Sequence, residues 1–492
     1  MAIRPLPAAE AAPPAGIWLR DGQPSAQAAA VRAQLDAAAD YGLDPEDYRT
    51  PSPSGSEAFD AALSRAALRF THDLHFGRVD ARSAGFALPA ARAPLNGPAL
   101  LAQLATAHDP AAAIAALEPP FIHYRLLKNM LPRYRELARQ PELTRLPPIP
   151  THALNAGDRY AGAPALRRLL QALGDLPDAE ASDSPVLDAA LVAGLQQFQT
   201  RHGLAPDGVL AARTYRELTT PLSVRVRQIE LTLERWRWLP EFRSPPIIVN
   251  IPQFQLFAFR TTTDHVADIL QMPVIVGQAY RQKRTPVFVS ELRYIVFRPY
   301  WDVPASIVRR EMLAPMRANP GYLARNNLEL VKGGGDDGAV QPPTPANIEA
   351  LAAGRLRLRQ RPGDDNALGL IKFVMPNDYG VYLHSTPARQ LFSRARRDFS
   401  HGCIRLSNPV GLAVQVLRPN PGDWSAAAVE AAMHGTNNQR VALAQPVQVM
   451  VLYGTALATE AGRIMFFDDV YGHDQRLEAL LRARRAGAIS GR

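Results

Sequence analysis

At Ile247 the texture of the chain changes, and that change constrains the fold more than any other feature of the sequence. Before it, apolar residues recur at helical spacing; after it, short β-branched and aromatic runs follow closely on one another. Ala26–Tyr41, Ser56–His75 and Ala99–Ala116 read as helices set apart by Pro, Gly and Asp. Arg225–Leu239 reads as one more, stopped by Pro240. Ile247–Ile251, Phe254–Arg260, Ile269–Val276, Pro286–Ser290 and Leu292–Phe297 then read as strands of an all-β sandwich or barrel. Strands resume at Ile371–Val374, Gly380–His384, Val447–Tyr453 and Arg463–Phe467. Between them, residues 303–365 show helical pieces and loops without strand character, an insertion long enough to suggest a cap over a site.

Composition narrows the function classes. Hydrophobic residues at 47% and charged residues at 21% exclude wholesale disorder. A single cysteine excludes a disulfide framework and any Cys-rich zinc or iron–sulfur site. The net charge is +9, with 51 of the 55 basic residues arginine, and suits an anionic polymer such as a cell wall. No block of like charge or Arg-rich amphipathic helix occurs, so nucleic acid is not an expected partner. No window holds the 18 or so apolar residues that span a bilayer, and Val441–Ala458, the nearest, alternates like a strand. The Ala/Pro-rich stretch Met1–Gly16 lacks the apolar core of a signal peptide, which leaves a cytoplasmic protein or a mature form with its signal removed. Gly333–Gly338 satisfies G-x-G-x-x-G literally, but Asp336 and Asp337 would repel phosphate and Gln341-Pro342-Pro343 follows where a helix should begin.

Residues 151–222 form a smaller pattern. Leu166, Leu169, Leu170 and Leu173 make one apolar helical stripe; Leu187, Leu191, Leu195 and Phe198 make a second. Phe198-Gln199, Gly203-Leu204 and the turn Asp207-Gly208 precede a third helix bearing Thr214 and Leu218. This order resembles the three-helix peptidoglycan-binding module.

The residues that carry chemistry lie later. Cys403 sits in Ser400-His401-Gly402-Cys403-Ile404-Arg405-Leu406, and His384 ends a predicted strand 19 residues before it. A cysteine nucleophile needs a base near neutral pH, and a histidine can both take its proton and give one to a leaving amine. Activated in this way, the sulfur is expected to reach full reactivity below the free-thiol value of about 8.5. Gly402 lets a substrate approach closely, and backbone N–H groups at Gly402 and Cys403 could face an oxyanion. A buried structural cysteine, or zinc held by His384, His401 and Cys403, are the competing readings.

The stretch His384…Ser400-His401-Gly402-Cys403-Ile404-Arg405 is similar to the signature of the L,D-transpeptidase catalytic domain. Further segments resemble the large periplasmic branch of that family: Glu234–Pro240, Val249–Pro252, Val276-Gly277, Lys283–Pro286, Pro299–Pro304, Arg361–Gly369, Lys372-Phe373 and Asp469–Gly472. The resemblance implies Cys403 as nucleophile, His384 as general base and acid, and Ser385 as the residue whose main chain orients that histidine. It implies His401 and Gly402 lining an oxyanion pocket, and Arg405 supporting the loop or contacting the donor. Trp301 and Tyr382 are candidate pocket aromatics.

The architecture expected from these readings is multidomain α+β. A helical scaffold spans 1–150, a peptidoglycan-binding-like three-helix module 151–222, and a scaffold helix 223–245. A mostly-β catalytic domain spans 246–455 with its cap inserted at about 303–365, and a hairpin and tail close the chain at 456–492. The activity implied is 3-3 cross-linking of peptidoglycan: tetrapeptide stems as donor, glycan strands held by the module, D-alanine released, no cofactor or metal, and acylation by carbapenems. Such a substrate implies a periplasmic location and a chain not integral to the membrane. A hydrolase using water as acceptor, an L,D-carboxypeptidase or amidase, and a non-catalytic wall-binding scaffold are the alternatives.

Overall fold

The computed structural model describes residues 16–89, 92–177, 182–242, 244–261, 269–319 and 321–490; Met1–Gly16, apart from its last residue, lies outside them. The chain divides into two compact units, one made of Met1–Glu241 with Tyr453–Arg492 and the other of Phe242–Leu452. Among the described residues no helix is long and apolar enough to cross a membrane.

The first unit is helical. After a short hairpin, β1 (Leu19–Arg20) and β2 (Gln23–Pro24), helices span Ala26–Asp36, Glu57–Phe76, Gly97–Thr106, Pro110–Ala115 and Ile122–Ala138. Ser25, Ser56, Asn96 and Asp109 each accept a backbone N–H of the turn they precede, which satisfies donors that a helix start leaves open. The sequence suggested one helix over Ala99–Ala116. It is two, because Asp109 caps a new start and Pro110 supplies the fixed φ that suits a first helical position. Trp18, Val31, Leu63, Phe70 and Leu104 form the core beneath them.

The three helices expected from 151–222 are Ala163–Leu173, Ala189–Arg201 and Ala212–Leu218, packed on Leu166, Leu170, Leu191, Leu195 and Phe198. The structure gives the Phe-Gln pair a physical reason. Phe198 is core, while the buried Gln199 amide donates to Asp207 Oδ1 at 2.8 Å, Val209 O at 3.1 Å and Thr214 Oγ1 at 3.2 Å. Its Oε1 accepts the Gly208 N–H at 2.8 Å. One amide thus locks the turn and the third helix to the second.

Leu222–Trp236 follows, and a hairpin (Ala456–Ala458 with Ile464–Phe466) and a long helix, His473–Ser490, complete this unit. Glu234 and Arg237, from the block that resembles the family, are fully buried in it. Glu234 accepts from Arg78 Nε at 3.1 Å, Arg237 at 3.2 Å and the Val79 N–H at 3.2 Å, and Arg237 also reaches the Tyr124 hydroxyl at 3.1 Å. Burial alone would raise the Glu234 carboxyl; Arg78 and Arg237 outweigh it and hold the group below its ordinary range. Glu234→Ala leaves Arg237 buried beside only its neutral partners and is expected to destabilise by about 3–5 kcal/mol, measured by urea unfolding under far-ultraviolet circular dichroism. Because the folded carboxyl is depressed, its contribution is complete above the ordinary glutamate range and lost as pH falls through the folded value. The stability of Glu234→Gln should therefore fall less steeply between neutral and acid pH than that of the wild type.

The second unit is built on a closed sheet. Its strands are β3 (Ile247–Asn250), β4 (Gln255–Ala258), β5 (Leu270–Gly277), β6 (Phe288–Phe297), β7 (Trp301–Asp302), β8 (Leu328–Lys332), β9 (Ala339–Gln341), β10 (Arg357–Gln360), β11 (Ile371–Val374), β12 (Leu383–His384), β13 (Asp398–Ser400), β14 (Ile404–Leu406) and β15 (Gln439–Leu452). Nine of them run in the order β13-β5-β14-β12-β11-β6-β15-β3-β4, and β4 pairs back onto β5 to close the barrel. The two runs foreseen at Pro286–Ser290 and Leu292–Phe297 are the single strand β6, which pairs along β15.

The inserted segment departs from its expected lack of strands. Together with β7, which immediately precedes it, it forms an antiparallel sheet, β7-β10-β8-β9, over a core of Val308, Met316, Leu330, Ile348 and Leu358. Charge concealed this: β10 reads Arg-Leu-Arg-Gln, yet Arg359 is buried, paired with Glu329 of β8 at 2.5 Å and stacked 4.1 Å from the Tyr300 ring centroid. The glycine run 333–338 is the β8–β9 connection, and its carbonyls at Gly333, Gly335 and Asp336 accept from Arg357 and Arg359.

Candidate active site

Strand alternation sets the site. On β11, β12 and β14, Ile371, Phe373, Leu383, Ile404 and Leu406 point into the core and are at most 1% exposed. The residues between them must face the other way. Lys372 pairs in register with His384, and His384 with Arg405 across the parallel β12–β14 pair. Continuing that register one residue back from Leu383↔Ile404 sets Tyr382 beside Cys403. Lys372, Tyr382, His384, Cys403 and Arg405 therefore share one face of three adjacent strands.

His384 is buried, and its Nδ1 lies 2.6 Å from the Ser385 carbonyl oxygen. A carbonyl only accepts, so Nδ1 carries the proton and Nε2 is left as the free base. Burial, then the charge of Arg405, push the imidazole down to about 3, so it is neutral across the physiological range. The Ser385 hydroxyl accepts the Leu370 N–H at 2.8 Å and donates to Leu368 O at 3.2 Å, tying the histidine's strand end to the approach of β11. Gly369 makes that approach possible: a Cβ there would lie 2.2 Å from Ser385 Oγ.

Cys403 is half-buried, and burial pushes its thiol above the ordinary value. The Tyr382 backbone and hydroxyl, Lys372 and Arg405 all pull in the opposite direction without prevailing. In the resting structure this shift runs opposite to the one that full reactivity below about 8.5 would need. The loop that presents the sulfur is knotted from within. Gly402 has φ +122°, in the region that favours glycine. Its N–H donates to Ser400 Oγ at 3.1 Å, Ser400 Oγ donates to Cys403 O at 2.5 Å, and Thr285 Oγ1 donates to Gly402 O at 2.8 Å. The Gly402 N–H is thus engaged, whereas the Cys403 N–H has no acceptor among the described residues.

The remaining predicted residues fall in two places. Tyr382 packs edge-on to His384 at 5.7 Å between ring centroids; burial and the neighbouring Cys403 push its hydroxyl well above the ordinary tyrosine range, against the influence of Trp301 on β7. His401 turns outward instead, with Nε2 2.9 Å from Glu311 and 2.8 Å from Lys283 Nζ, and those two form an ion pair at 3.0 Å. Glu311 lies in a π-helical turn of the inserted segment, Val308–Met312, so this cluster ties the cap to the barrel and to the loop of Cys403. Among the described residues, no group of three or more His, Cys, Asp or Glu side chains is placed to hold a metal ion.

Thr285, Glu311, Asn366 and Lys372 were not singled out from sequence as site residues. Asn366 is fully buried, accepts the Leu368 N–H at 2.8 Å and donates to Arg361 O at 2.9 Å, fixing the loop that leads to Gly369. A signal for the lysines did exist: in a chain with only four, Lys283 and Lys372 both stand at this site.

The barrel sets a lone cysteine and a buried, neutral histidine on one face of adjacent strands, an arrangement open to nucleophilic chemistry. Residues 245–421 match the family model for the L,D-transpeptidase catalytic domain. Residues 161–218 match the model described as "Putative peptidoglycan binding domain", and residues 14–131 match a scaffold domain. One segment of the chain is thus similar to L,D-transpeptidase catalytic domains, and another to a domain described as putatively peptidoglycan-binding. It is 31% identical over 252 residues to a protein of Haemophilus influenzae named "Putative L,D-transpeptidase", covering 51% of this chain and 49% of that one, so the match spans about half of the curated relative. A crystal structure of an L,D-transpeptidase from Xylanimonas cellulosilytica aligns to 62% of this chain and all of its own at 14% identity, with a TM-score of 0.17, too weak a superposition to bear on the fold.

Proposed function

We propose that this protein is a peptidoglycan L,D-transpeptidase that joins stem peptides through a thioester on Cys403. The observation that carries the reading is the shared face of β12 and β14, where the thiol and the unprotonated Nε2 of His384 belong to one short stretch of sheet. Cys403 Sγ attacks the carbonyl carbon of the third residue of a tetrapeptide donor while its proton passes to Nε2. The negative charge that develops on the carbonyl oxygen is met by the unengaged Cys403 N–H. His384 then gives its proton to the nitrogen of the terminal D-alanine, the C–N bond breaks, and a thioester remains. The side-chain amine of a second stem attacks that thioester and loses a proton to His384, and the sulfur departs and recovers it. Ser385 orients the imidazole, Trp301 and Tyr382 line the pocket, and Arg405 stands beside the sulfur as a contact for the donor. His401, through Glu311 and Lys283, seats the cap rather than touching the oxyanion. The 161–218 domain holds the glycan strands, and such a substrate sets the site of action in the periplasm.

Incubation with disaccharide-tetrapeptide, read by mass spectrometry, tests this. A dimer lacking one D-alanine is the expected product. Tripeptide alone would make the protein a hydrolase, and unchanged substrate would make it a wall-binding scaffold.

A further inference from the structure

The neutral state of His384 leaves the sulfur without a histidinium partner, and the same face of the sheet holds another cation. Lys372 stands opposite His384 in the β11–β12 register, with β12 between it and Cys403, and its Nζ lies 4.0 Å from the centroid of the Tyr382 ring. That ring is the one that the β12–β14 register sets beside Cys403. Charged and titratable groups stand around the lysine on several elements. His384 lies on β12 with Tyr382 just before it, Arg405 on β14 with Cys403 just before it, Asp302 and Asp336 act from the cap, and Arg440 of β15 shares the lysine's register across β6. Neither aspartate forms an ion pair with Lys372 among the described residues. Asp302 is engaged by Arg357.

We propose that Lys372 is a positioning residue that supplies the counter-charge of the Cys403 thiolate, held in place by the Tyr382 ring. The inference rests on Cys403 being the nucleophile. Lys372 gives up no proton. Cys403 passes its own to His384 Nε2, and the ammonium lowers the free energy of the sulfur anion that remains. A cation over an aromatic face is held by the ring quadrupole, which fixes its distance from the sulfur without a carboxylate that would cancel its charge. The mutual influence of the two groups agrees: the sulfur's charge favours the lysine's charged form, and the lysine favours the thiolate, each against the burial that opposes them. Arginine, which the chain uses almost everywhere else, would spread its charge over a plane instead of offering a compact ammonium.

The test is the pH profile of Cys403 alkylation by iodoacetamide, followed by intact-protein mass in wild type, Lys372→Met and Lys372→Arg. Alkylation needs only the thiolate, so it reads the charge effect without needing transpeptidation. Lys372→Met should raise the apparent thiol pKa by about one unit, the low end of what a nearby opposite charge confers, and slow labelling about tenfold at neutral pH. Lys372→Arg should restore most of the rate. Lys372→Gln, a second uncharged variant, takes the place of Lys372→Met if that one does not fold. Superimposable profiles for wild type and an uncharged, folded variant would overturn the proposal. Carbapenem acylation of the same samples separates the two readings: a wild type that acylates, paired with unchanged alkylation profiles, removes Lys372 and leaves Cys403 standing. A wild type that alkylates but never acylates removes the nucleophile reading itself.

Discussion

Exposed to a carbapenem, the wild-type protein should gain one drug mass per chain, and Cys403→Ala should gain none. The strained lactam carbonyl stands in for the donor carbonyl, and the opened ring stays tethered where D-alanine would depart, so the thioester persists. Cys403 is the only thiol in 492 residues, and no second sulfur nucleophile can blur the count. The expected effect is complete loss of the adduct. Intact-protein mass spectrometry decides it: labelling that survives in Cys403→Ala would move the nucleophile elsewhere.

The second large effect concerns the histidine. His384→Ala should slow donor acylation by about 10²–10⁴, the range for losing a general acid–base group. His401→Ala should cost less, since that ring faces Glu311 and Lys283. The pH profile is the sharper test. The reacting form is thiol plus neutral imidazole, and its population is steady between the His384 value of about 3 and a thiol pushed above its ordinary range. The kcat/KM for donor acylation should therefore stay level from about pH 5 to pH 8, with no break near 6.5, the ordinary histidine value. Alkylation by iodoacetamide, which needs the thiolate alone, should climb through the same interval. A break in the acylation profile near 6.5 would mean that His384 titrates as an exposed histidine does, contrary to its burial.

The sequence disclosed where Cys403 and His384 lie, and the strands around them, because each leaves a local mark. His384 and Cys403 lie at the ends of short apolar runs, and alternation over Ile371–Val374 and Ile404–Leu406 assigns their faces without any tertiary knowledge. Closure of the barrel left no such mark, since β4 meets β5 through a pairing that only the whole sheet determines. The strands of the cap were hidden by their own charges: Arg359 is buried by Glu329 and Tyr300, and neither neighbour can be inferred from spacing. The expected tail at the C-terminus contains an 18-residue helix, His473–Ser490, whose Arg-rich sequence gives little amphipathic signal. The engagement of the Gly402 N–H by Ser400 was equally invisible, because a serine hydroxyl two residues away has several acceptors and donors within reach.

The separate core of the cap carries a consequence. Val308, Met316, Leu330 and Leu358 pack on one another beneath a sheet distinct from the one that bears the cysteine, so substitutions among them leave the nucleophile's strand register untouched. Attachment through Glu311 and Arg310, which reach Lys283, His401 and Gln282, is a handful of polar contacts that can be rewritten one at a time. Under the proposed function, the choice of acceptor could then be altered through the cap without disturbing the strands around Cys403.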